Sequence, residues 1–195
     1  MNPSEKAQVV LASASPRRRE LLRQIGVVFR AVPAQIEEVP LEGESPSAFV
    51  QRMAREKAVE VMQIEGDGLP VLGSDTAVIV DGLILGKPSD RQNAGAMLRS
   101  LSGRTHEVLS AVAVAVNSAE IHESLNCSQV TFAELEPEWI ESYIDTGDPM
   151  DKAGAYGVQG KAAEKISRIE GSFYGVMGLP LFETAQLLRR AGVLF

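Results

Sequence analysis

An α/β domain built on a mixed β-sheet is the fold class this chain predicts, and three observations predict it. The run Val9-Val10-Leu11-Ala12 is short and apolar, and Ser15-Pro16 follows as a helix N-cap with proline at the first helical position. Further on, Ser45-Pro46 opens a stretch in which Ala48, Phe49, Met53, Ala54, Ala58, Val61 and Met62 recur at near-helical spacing. Asp81-Gly82 then joins two apolar runs as a two-residue hairpin turn. Helical crossovers need parallel strands and hairpins need antiparallel ones, so both occur in one sheet.

The elements follow in order. After the first strand, a helix runs from Pro16 to Ile25 and is ended by Gly26, and Val27 to Val32 reads as a second strand. The long helix reaches Ile64. Leu69 to Val80 is strand-like, with an expected interruption at Gly73-Ser74-Asp75. Ser89 to Leu101 reads as a helix capped by Ser89. Two long strands, Glu107 to Val116 and Ile121 to Glu134, are separated by Asn117-Ser118. Pro137 to Ile144 is a short helix, Ile166 to Ile169 a strand, and Pro180 to Ala191 a closing helix stopped by Gly192. No internal repeat, low-complexity tract or linker divides residues 1–195, so a single domain is expected.

Composition narrows the function. A chain of 195 residues with 45% hydrophobic content can bury one sizeable core. Cys127 is the only cysteine, which excludes an internal disulfide and a cysteine metal cage. The 26 acidic and 19 basic residues give a net charge of −7, which argues against a general nucleic-acid surface. Such a chain binds a polyanion only where cations converge locally and a divalent metal offsets the rest. No apolar run approaches the roughly 20 residues of a membrane span, and Met1 to Gln8 lacks the pattern of a secretory signal. The expected address is cytoplasmic, with neither membrane nor nucleic acid as partner.

The richest motif is Ser13-Ala14-Ser15-Pro16-Arg17-Arg18. Two arginines in the first turn of a helix oppose its positive dipole end unless something negative is bound there. A strand end, unpaired amides, hydroxyls and two guanidinium groups describe an anion site, with phosphate its natural occupant; a solvated basic patch is the bland alternative. Asp75, in Gly73-Ser74-Asp75-Thr76, can project into a cleft to hold a hard cation or activate water, or else bond locally as a turn carboxylate. Glu37-Glu38 follow the second strand, where acidic pairs are ordinarily solvated. Lys57 lies among Arg55 and Glu56, so a salt-bridged helix face would explain it, whereas Gly86-Lys87-Pro88 fixes a lysine in a tight turn.

No Walker loop, dinucleotide glycine fingerprint or serine-nucleophile elbow is present. His106 and His122 are too scattered for a histidine metal site, and His106 is read as structural. Asp151 to Gly160 is a second strong signal: its glycines and alanines permit close approach, and Gln159 carries a donor and an acceptor able to read a base edge. Arg17, Arg18, Lys57, Lys87 and Lys152 could therefore surround phosphates, with Asp75 and Glu38 holding a metal.

Taken together these segments resemble the Maf family of nucleoside triphosphate pyrophosphatases. The likeness runs from Leu11-Ala12-Ser13-Ala14-Ser15-Pro16-Arg17-Arg18 through Ile36-Glu37-Glu38, Lys57-Ala58, Gly73-Ser74-Asp75-Thr76 and Gly86-Lys87-Pro88. It continues through Leu101-Ser102-Gly103, His106, Asp151 to Gly160 and Val176-Met177-Gly178-Leu179-Pro180, and the Asp151 to Gly160 wording is similar to the dTTP/UTP branch. The resemblance implies hydrolysis at the α–β phosphoanhydride with a divalent metal, Mg²⁺ or Mn²⁺. It also implies an elongated α/β fold like that of inosine-triphosphate pyrophosphatases, two lobes around a central cleft, and a homodimer.

The family's proton acceptor falls on Asp75, acting as base directly or by stabilising a hydroxide on the metal. Its specificity positions fall on Arg17, Thr76 and Gln159, and further polar residues of the site on Ser13, Arg18, Glu38, Lys57 and Lys87. Family members are also associated with septum formation, so a nucleotide-binding regulator of cell division is the alternative, and hydrolysis of modified pyrimidine nucleotides is a variant of the enzyme. Ala162-Ala163-Glu164-Lys165 departs from the apolar and aromatic residues many relatives carry there.

Overall fold

The computed structural model describes residues 6–66 and 68–195; Met1–Glu5, the start of the stretch read above for a targeting signal, lies outside the described residues. Seven strands form one sheet: β1 (Val9–Leu11), β2 (Phe29–Ala31), β3 (Val71–Val80), β4 (Leu83–Leu85), β5 (Thr105–Asn117), β6 (Glu120–Phe132) and β7 (Ile166–Glu170). Their order is β2-β1-β3-β5-β6-β7, with β4 paired to β3. β1 pairs in parallel with β2 and β3, and every other pairing is antiparallel, so the sheet is mixed as the sequence predicts.

The helices are α1 (Pro16–Gln24), α2 (Pro46–Glu65), α3 (Arg91–Leu101), α4 (Pro137–Ile144), α5 (Phe173–Met177) and α6 (Leu181–Arg190). Ser15 and Ser45 cap α1 and α2 as expected, each hydroxyl accepting a backbone N–H one turn on, with proline following. The cap of α3 is Asp90 rather than Ser89: its Oδ1 accepts from the Asn93 amide at 2.7 Å. Both residue types cap well, and one residue of register decides which carboxylate or hydroxyl meets the orphan amides. The Asp81-Gly82 turn closes β3 onto β4 with positive φ at both residues (51° and 76°), the signature of a type I′ hairpin.

Two further sequence expectations need correction. The second strand is shorter than Val27 to Val32, because only Phe29–Ala31 has a ladder partner in β1. More importantly, β3 does not break at Gly73-Ser74-Asp75: it pairs with β5 continuously from Val71 to Ile79. What stops there is its other neighbour. β1 meets only Val71 and Leu72, β4 meets only Val78 to Val80, and the edge from Gly73 to Ala77 between them has no strand against it.

The hydrophobic core lies on both faces of the sheet. Val50, Met53, Ala54, Ala58 and Val61 of α2 pack with Val71, Ala77 and Ile79 on one face. Leu21 and Leu22 of α1 and Leu187 and Leu188 of α6 pack with Leu11, Leu72 and Val112 on the other. A third cluster joins α3, α4 and the distal strands around Leu98, Tyr143, Phe132 and Tyr156. Gly73 lets α2 sit unusually close to the sheet: a Cβ there would lie 2.1 Å from the Ala54 carbonyl oxygen and 2.8 Å from the Ala58 nitrogen.

Candidate active site

The uncovered edge of β3 opens into a cavity of about 660 Å³. Alternate residues of a strand point to opposite faces, and at an edge without a neighbour both faces reach the same opening. Asp75 therefore points towards α2, and Ser74 and Thr76 towards the segment after α5, while Asp75 and Thr76 both line the one cavity. All nine residues singled out from the sequence line it: Ser13, Arg17, Arg18, Glu38, Lys57, Asp75, Thr76, Lys87 and Gln159.

On the α2 side, Lys57 turns inward rather than forming a solvated helix face, and Arg55 pairs with Glu123 instead. The Lys57 Nζ lies 2.7 Å from Asp75 Oδ1 and 2.7 Å from Glu38 Oε1, holding two carboxylates on one ammonium. Asp75 is buried, and burial pushes its carboxyl above the usual carboxylate range although Lys57 and Arg18 pull the other way. Glu38 is half exposed. Its burial works to raise the carboxyl, but the hydrogen bond and charge of Lys57, with Lys87 and Arg18, hold it below the ordinary value. Neighbouring carboxylates thus sit in environments that separate their proton affinities, an arrangement common in sites that handle protons.

At the α1 end, the Arg18 side chain is fixed by two oxygens: Nε donates to the Gly178 carbonyl at 2.9 Å and Nη1 to Ser13 Oγ at 3.3 Å. Ser13 Oγ also accepts from the Ser15 amide at 3.2 Å, which ties the β1–α1 corner together. Gly178 is the centre of this wall. Its carbonyl also accepts from Ser74 Oγ at 3.2 Å and Thr76 Oγ1 at 3.4 Å, and its φ of 118° is open to glycine alone.

The opposite rim is the segment from Asp148 to Gly160, which the sequence marks as a loop and which folds as 3₁₀ turns at Asp148–Asp151 and Ala153–Ala155. The Gly154 amide donates to the Gly86 carbonyl at 3.0 Å, so this rim is bonded directly to the Lys87 turn. A Cβ on Gly154 would meet Val78 at 2.9 Å, and its φ is +67°. Two buried phenols anchor the segment from behind. Tyr143 Oη donates to Asp148 Oδ2 at 2.8 Å and accepts from the Gly157 amide at 3.2 Å, and Tyr156 Oη lies 2.7 Å from His106 Nε2. Burial pushes the His106 imidazole down to about 4, so it is neutral at physiological pH. Its structural role is as read from the sequence; the two tyrosines were not singled out there, since nothing local marks a phenol that bonds across the fold.

Lys152, which the sequence groups with the site's other cations, lines the cavity too, but it is paired within its own segment. Its Nζ donates to Asp148 Oδ1 at 2.9 Å and Asp151 Oδ1 at 2.7 Å, so its charge serves its own segment. Arg17 reaches across the cavity mouth to Asp151 Oδ2 at 3.5 Å. Gln159 and Lys87 are exposed at the rim. Among the described residues, no three histidine, cysteine, aspartate or glutamate side chains group as a metal cage.

With the arginines and the N-terminal turn of α1 at one end of the cavity and Lys57 between two carboxylates on the α2 side, the molecule is an α/β protein whose cavity can take a compact polyanion such as a nucleotide phosphate. The chain belongs to the Maf family: the family model described as Maf-like protein matches residues 8–191. It is 50% identical over 95% of its length to a dTTP/UTP pyrophosphatase of Cupriavidus pinatubonensis, 97% of which is covered. It is 51% identical to the dTTP/UTP pyrophosphatase of Cupriavidus metallidurans, again over 95% and 97% of the two chains. For that of Symbiobacterium thermophilum the identity is 48%, over 95% and 94%. A solved HAM1 protein from Coxiella burnetii aligns at 18% identity with a TM-score of 0.47, over 96% of this chain and 98% of that one.

Proposed function

We propose that this chain is a nucleoside triphosphate pyrophosphatase that hydrolyses dTTP and UTP to the nucleoside monophosphate and pyrophosphate. The observation that carries the reading is the convergence of Arg17, Arg18, Lys57 and Lys87 with Asp75 and Glu38 around the open edge of β3. Relatives of about half identity that bear the name dTTP/UTP pyrophosphatase support the choice of substrate.

The reaction adds water across one anhydride bond. A water oxygen bonds to the α-phosphorus, the bond from that phosphorus to the α–β bridging oxygen breaks, and pyrophosphate leaves with the bridging oxygen. Charge that builds on the leaving group is met by Arg18, Lys87 and the amides of the first turn of α1. Arg18 is held in place by Gly178 and Ser13 before substrate arrives, so little reorganisation is needed. Asp75, whose Oδ1 is oriented by Lys57, takes the proton of the attacking water. Arg17, Thr76 and Gln159 line the same cavity, and their polar groups are the ones we assign to sugar and base.

The donor set fits a hard divalent cation. Glu38 and Asp75 already converge on a single positive charge, and Mg²⁺ or Mn²⁺ is ordinarily held by one or two carboxylates with substrate phosphates completing the shell. Bound there, the cation would neutralise phosphate charge and polarise the phosphorus.

The test is to incubate the pure protein with each common nucleoside triphosphate and Mg²⁺ or Mn²⁺ and separate the products. Monophosphate and pyrophosphate from dTTP and UTP, with purines spared, are expected. Diphosphate and orthophosphate would assign the wrong bond, and nucleotide binding without turnover would replace the enzyme with a regulator.

A further inference from the structure

We propose that Ser110 sets the base preference of this site by fixing the hydrogen-bond polarity of Thr76; the inference rests on the pyrimidine triphosphatase reading above. Ser110 stands on β5 directly opposite Thr76 on β3 and is fully buried, with 0% exposure. Among the described residues its hydroxyl has one hydrogen-bond partner, Thr76 Oγ1 at 2.9 Å. A buried hydroxyl proton without an acceptor is costly, so Ser110 donates and Thr76 accepts.

That single donation determines what Thr76 offers to the cavity. One lone pair of Oγ1 is taken by Ser110. Its own proton has the Gly178 carbonyl within reach at 3.4 Å, on the same face of the sheet. The group left for a ligand is the second lone pair, an acceptor. An acceptor is satisfied by a ring N–H, which thymine and uracil carry at N3. Cytosine carries an unprotonated nitrogen at that position, and two lone pairs would face each other. A polar site rejects the wrong partner strongly because its own buried group is left unpaired. Ser110 thus acts as a positioning residue: it touches no substrate and works through Thr76.

The experiment measures kcat/KM for UTP and CTP in four proteins: wild type, Ser110→Ala, Thr76→Val and the double variant. Ser110→Ala frees Thr76 to donate or accept, so the UTP-over-CTP ratio is expected to fall at least about tenfold, with kcat for UTP kept within about threefold. In the Thr76→Val background, adding Ser110→Ala is expected to change the ratio by less than about twofold. Ser110→Cys, a weaker donor, is expected to fall between wild type and Ser110→Ala, and it carries the test if the alanine variant does not fold. An unchanged ratio in folded Ser110→Ala or Ser110→Cys overturns the inference alone, as does an equal shift in the Thr76→Val background. A wild-type enzyme without preference for UTP over CTP overturns this inference alone, whereas one that releases no monophosphate and pyrophosphate from UTP overturns the functional reading and this inference with it.

Discussion

The two walls of the cavity are built in opposite ways. The wall carrying Asp75, Lys57 and Arg18 belongs to long regular elements, β3, α2 and α1, whose backbones are bonded within helix or sheet. The wall carrying Gln159 is a run of 3₁₀ turns held by groups from elsewhere: the side chains of Tyr143 and of His106 through Tyr156, and the backbone carbonyl of Gly86. Each wall depends on one glycine at a close contact, Gly73 beneath α2 and Gly154 against Val78. The difference suggests a division of labour. Asp75, Lys57 and Arg18 sit where ångström errors are prevented by ladder and helix bonds, and Gln159 sits where sequence can vary without disturbing the sheet.

The comparison can be broken most severely at Asp75. Asp75→Asn keeps the shape but removes the proton acceptor and one charge on Lys57, and turnover of dTTP is expected to drop on the order of 10³-fold. Circular dichroism should stay native, and activity near the wild-type level would remove Asp75 from the chemistry.

Gly73→Ala attacks the same wall through packing. The new Cβ meets backbone atoms of Ala54 and Ala58 rather than a flexible side chain, so α2 must shift and Lys57 with it. A stability loss of roughly 3 kcal/mol and a Tm lower by on the order of 10 °C are expected. The kcat should fall while the preference among bases is retained, and steady-state kinetics beside a melting curve checks both.

Gly154→Ala is the matching change on the other wall. It combines a φ of +67° with a 2.9 Å approach to Val78, and it displaces the segment that presents Gln159. The KM for UTP should rise about tenfold with kcat less affected, and selectivity among bases should weaken. If Gly73→Ala and Gly154→Ala changed kcat and KM in the same proportions, the division between the walls would fail.

The last effect is a slope of stability with pH, which leaves the cavity itself untouched. The His106 imidazole titrates at about 4 in the folded protein and near the ordinary 6.5 when unfolded, because burial disfavours its charge. Between those values the unfolded chain binds the extra proton, so this contribution to stability is complete above about pH 6.5 and is lost as pH falls towards 4. The loss is on the order of 3 kcal/mol. His106→Gln, which keeps a polar group facing Tyr156, should flatten that part of the urea-unfolding profile; an unchanged slope would deny His106 this role.

Much of both walls is legible in the sequence, but not equally. Ser15-Pro16, Ser45-Pro46 and Asp81-Gly82 announce α1, α2 and the β3–β4 hairpin, because caps and turns are local steric and hydrogen-bond preferences. The expected break at Gly73-Ser74-Asp75 shows the limit. Glycine there reads locally as an interruption, yet its use is to admit α2, a contact with residues nearly twenty positions earlier. α5 (Phe173–Met177) went unread because five residues do not span enough turns to show a period. Gly178, Ser110, Tyr143 and Tyr156 went unread as supports of the cavity wall because their roles depend on partners distant in the chain.

The sequence by itself determined the mixed α/β class, the helix starts, the gathering of hydroxyls and arginines at the β1–α1 corner and the residue types available for phosphate and proton chemistry. Those follow from short-range propensity and from the charge each side chain carries. Only the tertiary structure decided that β3 is continuous with its edge exposed between β1 and β4, that Lys57 bridges Asp75 and Glu38 while Lys152 stays within its own segment, and that Thr76 is held by Ser110 and Gly178. Pairing of strands and ions joins residues far apart in the chain, and which partners win is set by the packing of the whole sheet.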